Sequence, residues 1–102
     1  MAIGSIQPFR PTGTVSMTTG TASASIALAG GGETVVVTNT ATTLGFVRFG
    51  ADPSVTATAA DMPVLPGSRV MLAANPLITY AAAMLLSGSG SLFFTRGDGS
   101  FV

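Results

Sequence analysis

The 102-residue sequence contains no cysteine, histidine, lysine or tryptophan. Without cysteine, neither a disulfide framework nor a thiolate metal site can form. Without histidine, the commonest general base and a major transition-metal ligand are missing. The nucleophiles that lysine and cysteine supply are missing as well. We therefore expect a protein that is not an enzyme and that binds no cofactor and no metal.

Charge is scarce: charged residues make up 8% of the chain, against about a quarter in ordinary soluble domains. The four arginines and four acids, which balance to zero, are Arg10, Arg48, Arg69, Arg96, Glu33, Asp52, Asp61 and Asp98. Dispersed arginines do not form the basic stripe that nucleic acid requires. The acids adjoin turn residues, which predicts turn-forming and capping carboxylates.

So few charges also leave the surface to other residue types. Water-facing positions are expected to carry Thr, Ser, Gly and Ala, or to be covered by another subunit. A small domain of mean hydropathy +0.62 and no net charge has little protection against association. This favours permanent assembly, while a monomer with a Ser/Thr-rich surface stays open as the alternative.

Apolar runs are too short to cross a bilayer. The longest, from Leu77 to Leu86, includes Thr79 and Tyr80 and predicts a buried strand. The N-terminus lacks the basic region of a secretory signal. We expect no membrane partner.

Short alternating runs separated by Gly, Pro and Asn predict an all-β fold, an antiparallel β-sandwich of jelly-roll type. No segment shows sustained helical periodicity. About eight strands are predicted, at Gly13–Thr18, Ala22–Leu28, two runs within Val35–Gly50, Val55–Thr58, Arg69–Ala73, Ile78–Leu86 and Leu92–Thr95. Residues 62–67, with two prolines, are expected to form a stiff connection that cannot pair inside a sheet.

The stretch Val35–Gly50 predicts two strands with unusual faces. Val35, Val36 and Val37 make both faces of the first strand apolar, which is typical of a central or covered strand. In the second strand, Leu44, Phe46 and Arg48 share one face, while Val47 and Phe49 point the other way. An arginine beside a phenylalanine predicts that this face meets water or another subunit.

Residues 1–12 are predicted to be an extended N-terminal arm, with residues 13–102 forming the domain, because Pro8 and Pro11 remove donors and restrict the backbone. The arm is either a loose terminus or a segment lying along a neighbouring subunit, with Ile3, Ile6 and Phe9 as anchors.

The tripeptide Arg96-Gly97-Asp98 matches a short integrin-recognition motif. It falls at a predicted strand end before Gly99, where a tight turn explains all three residues. A match this short arises by chance, and no adhesive function is predicted from it.

Several segments, taken in order, resemble one family. They are Val37–Asn39, Phe46–Gly50, Val55–Thr58, Pro63–Ser68, Tyr80–Ala83 and Ser87–Gly99, and Thr21–Leu28 also fits. Together they resemble the small β-sandwich virion proteins of tailed bacteriophages. The resemblance spans about residues 12–99 and leaves the arm outside.

The resemblance implies a head decoration or cement protein, made in the bacterial host cytoplasm and located on the capsid exterior. Its implied partners are the major capsid protein and copies of itself, with a trimer favoured by the three-fold positions of a capsid. The family has no catalytic residues to transfer. A tail, neck or fibre component, or a carbohydrate-binding sandwich module, stays open. The interface candidates are Ile3, Ile6, Phe9, Arg10, Phe46, Arg48 and Phe101.

Overall fold

Eight β-strands account for the alternating runs of the sequence. A computed structural model describes residues 9–75 and 77–99, and the following refers to these. The strands are β1 Arg10–Thr19, β2 Ala24–Ala27, β3 Thr34–Asn39, β4 Gly45–Gly50, β5 Met62–Val64, β6 Arg69–Ala73, β7 Tyr80–Leu85 and β8 Gly90–Asp98. The described residues form no helix and therefore contain none that is long and apolar enough to span a membrane. The predicted all-β sandwich of about eight strands is confirmed.

The strands form two antiparallel sheets, and their order identifies the topology. The first sheet runs β1-β8-β3-β6 and the second runs β2-β7-β4-β5. The pairs β1/β8, β2/β7, β3/β6 and β4/β5 therefore alternate between the two sheets. This is how one long antiparallel ribbon rolls up into a jelly roll.

The connections gather at two ends of the sandwich. The turn end contains residues 20–23, 40–44, 65–68 and 86–89, which join β1 to β2, β3 to β4, β5 to β6 and β7 to β8. The loop end contains the connections after β2, β4 and β6. Arg10 pairs with Asp98 at the loop end, so the described chain also starts there.

The core lies between the two sheets. From the first sheet, Val35, Val37 and Phe94 contribute fully buried side chains, and from the second sheet Ala83 and Leu85 do so. Burying a side chain the size of Val, Leu or Phe contributes about 1.5–3 kcal/mol, so these positions dominate folding. The strand containing Val35 was predicted to be either central or covered, and the structure shows that it is central, since β3 lies between β8 and β6.

The strand predicted at Val55–Thr58 is wrong, and the predicted stiff connection at residues 62–67 contributes an edge strand. Residues 55–58 lie in the 51–61 loop, and β5 forms instead at Met62–Val64. The backbone N–H of Ala57 donates to the hydroxyl of Ser23, 2.8 Å away, rather than to a neighbouring strand. Pro63 is tolerated in β5 because this strand is the edge of its sheet.

The beginning of β1 differs from the predicted arm boundary. Arg10, Pro11 and Thr12 lie in β1, opposite the end of β8, with a register shift between Pro11 and Gly13. An edge strand accepts Pro11 because the missing N–H can face away from the ladder. Residues 1–8 of the predicted arm lie outside the described residues.

Candidate interaction surface

Three leucines lie side by side at the turn end of the second sheet. Gly45 is opposite Leu85 of β7 and Val64 of β5. Continuing that register by one residue sets Leu44 opposite Leu86 and Leu65, and the N–H of Leu86 donates to the carbonyl oxygen of Leu44 over 2.9 Å.

The alternation of the strands turns these leucines outward. Leu85 and Val64 are fully buried, and a Cβ on Gly45 would point at Leu85, Leu92 and the amide of Asn39. Since successive side chains point to opposite faces, the next residues belong to the outer face. Leu65 is 66% exposed and Leu86 is 60% exposed.

A second apolar row adjoins the leucines on the same outer face. Phe46 lies opposite Met84 on one side and Pro63 on the other. Phe46 itself is only 7% exposed. The two rows form what we call the apolar patch, composed of Leu44, Phe46, Pro63, Leu65, Met84 and Leu86. Exposed apolar residues grouped in this way are typical of interaction sites, whereas isolated ones are ordinary.

Asn39 holds the leucines in place from inside the core. Its fully buried side-chain amide donates to the carbonyl oxygens of Thr43 and Val64, both at 3.0 Å. These two residues directly precede Leu44 and Leu65. The side-chain oxygen of Asn39 accepts from the N–H of Ala41 over 2.9 Å. Asn39 thus fixes the backbone next to two of the three leucines.

The rest of this outer face is covered by the 51–61 loop. The hydroxyl of Ser25 donates to the carbonyl oxygen of Pro53 over 3.0 Å. A Cβ on Gly50 would meet the side chain of Val55, 2.8 Å away, so the loop lies directly on β4. Ala82 points outward yet is fully buried. The loop therefore covers part of the outer face and reaches the turn end at Ser23, and the apolar patch occupies another part of this face.

Arg48 and Asp61 lie where the loop and the patch meet. Their nearest guanidinium and carboxylate atoms are 3.8 Å apart, and the side chains are 57% and 16% exposed, respectively. A pair this exposed and long contributes little to stability. The carboxylate of Asp61 also accepts from the N–H of Thr58 over 2.7 Å, so its first role is to close the loop.

The structure brings some predicted interface residues together and separates others. Phe46 and Arg48 share the outer face of the second sheet, as their spacing predicted. Phe9 and Arg10 lie at the loop end, at the start of the first sheet, far from Phe46. The remaining candidates, Ile3, Ile6 and Phe101, lie outside the described residues.

Sequence reasoning placed Leu44 on the face of Phe46 and Arg48 without naming it as an interface candidate, and it missed Leu65 and Leu86. Leu65 and Leu86 each directly follow a strand, and a glycine of the turn follows each within two positions (Gly67 and Gly88). A large apolar residue at a turn is the signal that could have identified them, because turns usually carry small or polar residues.

Arg96 of the Arg-Gly-Asp tripeptide is buried, at 4% exposure. Its guanidinium donates to the carbonyl oxygens of Gly32 over 3.0 Å, Asn75 over 2.9 Å, and Ile78. The tripeptide lies in β8 and does not present this arginine to a receptor. Arg96 instead joins the connections after β2 and β6 at the loop end.

Two of the acids, Asp52 and Asp61, act in turns, as predicted, whereas Asp98 ends β8 and bonds a residue distant in sequence. Asp52 accepts from the N–H of Ser54 over 2.9 Å and from its hydroxyl; these bonds, the hydroxyl first, lower the pKa of Asp52 below its ordinary value. Asp98 accepts from the N–H of Glu33 over 3.2 Å. The described residues contain no group of three acidic side chains that could hold a metal ion.

The outer face of the first sheet is mostly hydroxyl-bearing. Thr14 and Thr95 are hydrogen-bonded across β1 and β8 at 3.0 Å, and Thr18 and Ser91 at 3.2 Å. Thr and Ser therefore fill water-facing positions here, as the scarcity of charge predicted. The two outer faces differ: the first carries mostly Thr and Ser, with the exposed Phe93 among them, and the second carries the loop and the apolar patch.

Comparison with known proteins yields no relative. No protein-family model, curated protein or solved structure matches this chain. The site is therefore interpreted from its own geometry.

Proposed function

We propose that this protein is a non-enzymatic structural component of a tailed-bacteriophage virion, a decoration protein that stabilises the head shell over the joints between capsomers. The observation that supports this is the exposed part of the apolar patch, Pro63, Leu65 and Leu86, on a jelly roll that has almost no charge. Such a surface suits a subunit that is permanently packed against others.

The physical role of such a protein is to add buried surface across a joint. Burying about 300 Å² of apolar surface per contact contributes about 7 kcal/mol before the cost of association is subtracted. That cost is about 4–15 kcal/mol, so a single small contact binds weakly. A subunit held by several contacts at once binds firmly, because each later contact forms at high effective concentration.

The proposed partners are the major capsid protein and other copies of this chain. The apolar patch is assigned to contacts between subunits of the shell. The N-terminal arm, with Ile3, Ile6 and Phe9, is assigned to a contact with a neighbour. The proposal involves no chemical step, and the residue types that supply a general base or an activated nucleophile most often are absent from the sequence.

The test is cryo-electron microscopy of purified virions in which mass spectrometry detects this chain. Density that fits the jelly roll on the outside of the head, above the joints between capsomers, is the expected result. Density on the tail, neck or fibres would overturn the decoration role, but the protein would still be a structural component of the virion. A chain that never purifies with virions would overturn the proposal entirely.

A further inference from the structure

We infer that the free edge of β1 is the contact surface for a second copy of this chain, with the two β1 strands paired antiparallel around a two-fold axis at Ser16. The first sheets of the two copies would then form one continuous sheet. The inference concerns an edge that the proposed decoration role does not use, so the two are tested separately. In a two-fold contact the same surface is used by both subunits.

β1 is the longest of the edge strands and the least protected. Among the described residues, the edges of the two sheets are β1, β6, β2 and β5. The last three have five, four and three residues, and of these β6 begins at the charged Arg69 and β5 contains Pro63. β1 has ten residues. Since natural edge strands are usually kept from pairing by shortness, charge, proline or a bulge, β1 is the exception.

The protection that β1 does have is confined to its start, at the loop end. Arg10, Pro11 and the register shift before Gly13 all lie there. The connection after β2 also lies against this part of the strand. The hydroxyl of Thr12 donates to the carbonyl oxygen of Gly31 over 2.6 Å and accepts from its N–H over 2.9 Å.

At the turn end, the chain leaves β1 by bonding to the second sheet. The hydroxyl of Thr19 donates to the carbonyl oxygen of Ala83 over 3.3 Å, and the carbonyl oxygen of Gly20 accepts from the N–H of Leu85 over 2.7 Å. Between these two closures lies Thr14–Thr18, which we call the open edge. It contains no charge, no proline and no register shift.

The hydrogen bonds of β8 show which way its backbone groups point. The N–H of Thr40 donates to the carbonyl oxygen of Ser91 over 3.1 Å, so Ser91 directs its backbone groups toward β3. Because this direction alternates along an antiparallel strand, Leu92, Phe94 and Arg96 direct theirs toward β1. The carbonyl oxygen of Arg96 agrees, since it accepts from a hydroxyl of β1 over 3.0 Å.

The same alternation leaves a row of backbone groups unpaired on the open edge. The residues opposite Phe94 and Leu92 are Val15 and Met17, so the backbone groups of these two bond to β8. The N–H and C=O groups of Thr14, Ser16 and Thr18 therefore point away from the sheet. A row of free backbone donors and acceptors is complementary to one kind of partner, which is another extended strand.

The open edge is complementary to itself. When two copies pair with Ser16 opposite Ser16, Thr14 lies opposite Thr18, and every outward-pointing residue is in a hydrogen-bonded pair. This gives about six backbone hydrogen bonds, two for each pair. Any other register leaves at least one of these residues without a partner in the open edge. Hydroxyl side chains then meet on the outer face, where Thr and Ser pairs are favourable, and Val15 meets Met17 on the inner face without any opposed charge.

The contact is narrow, so a weak dimer is expected. Five paired residues rise about 17 Å, and a contact of this length buries less than the roughly 800 Å² per partner of a stable complex. Contacts made by adding a strand to a sheet obtain their affinity from main-chain hydrogen bonds. We expect a Kd on the order of 0.1–1 mM.

Sedimentation equilibrium of the full chain between about 20 µM and 2 mM tests dimerisation; this range brackets the expected Kd. Ser16→Pro should weaken dimerisation at least about tenfold, because it removes the N–H donors at the axis. The ladder to β8 should survive, since this N–H points away from it. Ser16→Lys sets like charges opposite each other and should weaken dimerisation severalfold. The control is Ala73→Lys, at an exposed position of β6 on the other edge of the same sheet, and it should dimerise like the wild type.

Amide hydrogen exchange measured by NMR identifies the strand that pairs. Raising the protein concentration from about 50 µM to about 2 mM should slow exchange at Thr14, Ser16 and Thr18 by about two- to threefold, in proportion to the fraction of chains in the dimer. Val15 and Met17 are internal controls, because their N–H groups bond to β8 at every concentration.

Symmetry is tested by a disulfide, since the sequence contains no cysteine. Two copies of residue 16 in a hydrogen-bonded pair have Cα atoms about 5.5 Å apart, within the range that a disulfide spans. Ser16→Cys should therefore form a covalent dimer faster than Ala73→Cys, which measures random collision. Circular dichroism and thermal unfolding establish that each variant is folded, and the lysine variant decides if the proline variant is not.

Four results would overturn the inference: a wild type that stays monomeric at 2 mM, a folded Ser16 variant that associates as well as the wild type, an Ala73→Lys variant that is weakened equally, or a dimer that leaves exchange at Ser16 unchanged. None of these depends on where the protein resides. A dimer with the expected variants but no density on virions would overturn the decoration role and retain the inference.

Discussion

The guanidinium of Arg96 donates to the carbonyl oxygen of Gly32, with 3.0 Å between Nε and O. This bond, with those to Asn75 and Ile78, satisfies a buried positive charge without a carboxylate. The carbonyl oxygens come from the connections after β2 and β6, which are far apart in sequence. One side chain therefore organises the loop end.

Replacing Arg96 by methionine should destabilise the protein by about 3–5 kcal/mol, because three carbonyl oxygens would lose their buried donor. Arg96→Lys should recover part of the loss, since one ammonium group cannot reach all three oxygens. Urea unfolding measures the difference. Arg48→Met is the control, and a shift below about 0.5 kcal/mol is expected there because Arg48 is exposed. Equal losses for the two variants would contradict this account.

Replacing Asn39 by alanine should lower the free energy of unfolding by about 2–4 kcal/mol, because the carbonyls of Thr43 and Val64 lose their donor and a cavity forms. Chemical denaturation measures the difference. Asn75→Ala, which removes an exposed turn bond to Leu77, is the control and should cost less than about 1 kcal/mol. Equal losses in the two variants would contradict the role of the buried amide.

Gly97→Ala should destabilise the protein by at least about 2 kcal/mol, because the added Cβ would overlap the carbonyl oxygen of Arg10 where β1 lies closest to β8. Gly31→Ala is the matched control: a Cβ there meets nothing within 4 Å. Hydrogen exchange should show faster exchange at the start of β1 in the Gly97 variant only. If both variants have wild-type protection, the close approach is not a constraint.

The carboxyl of Asp52 should titrate below its ordinary value of 3.8, because the hydroxyl and N–H of Ser54 donate to it. A pKa lowered by folding stabilises the native state above the unfolded-state pKa, and this contribution disappears as the pH falls through the folded-state value. Ser54→Ala should raise the pKa of Asp52 toward its ordinary value. Carbon-13 NMR of the side-chain carboxyl measures both values. An unchanged pKa in the variant would exclude the hydroxyl as the cause.

Deleting residues 1–8 should leave the unfolding transition unchanged, because β1 begins at Arg10, and should lower occupancy on heads if the arm contacts a neighbour. A deletion of residues 1–12 would be a poor test. It also removes Thr12, whose hydroxyl donates to the carbonyl oxygen of Gly31 over 2.6 Å and accepts from the N–H of Gly31 over 2.9 Å. Full occupancy after the shorter deletion would reject the arm's role.

Much of the fold could be predicted because local alternation reflects which face of a strand is buried. Val35, Val36 and Val37 predicted a central strand, and β3 is central. The short run Val55–Thr58 was mistaken for a strand because its composition suits one. The hydroxyls of Ser23 and Ser25, more than 25 residues away in sequence, hold this part of the chain as a loop.

The all-β class, the approximate positions of most strands and the scarcity of charge follow from residue type and spacing along the chain. The apolar patch does not, because it depends on which strands lie side by side. Leu44, Leu65 and Leu86 are neighbours because β4 pairs with both β5 and β7 in one register. Pairing between strands that are distant in sequence is set by the jelly-roll topology of the whole chain, and a local sequence pattern does not predict it.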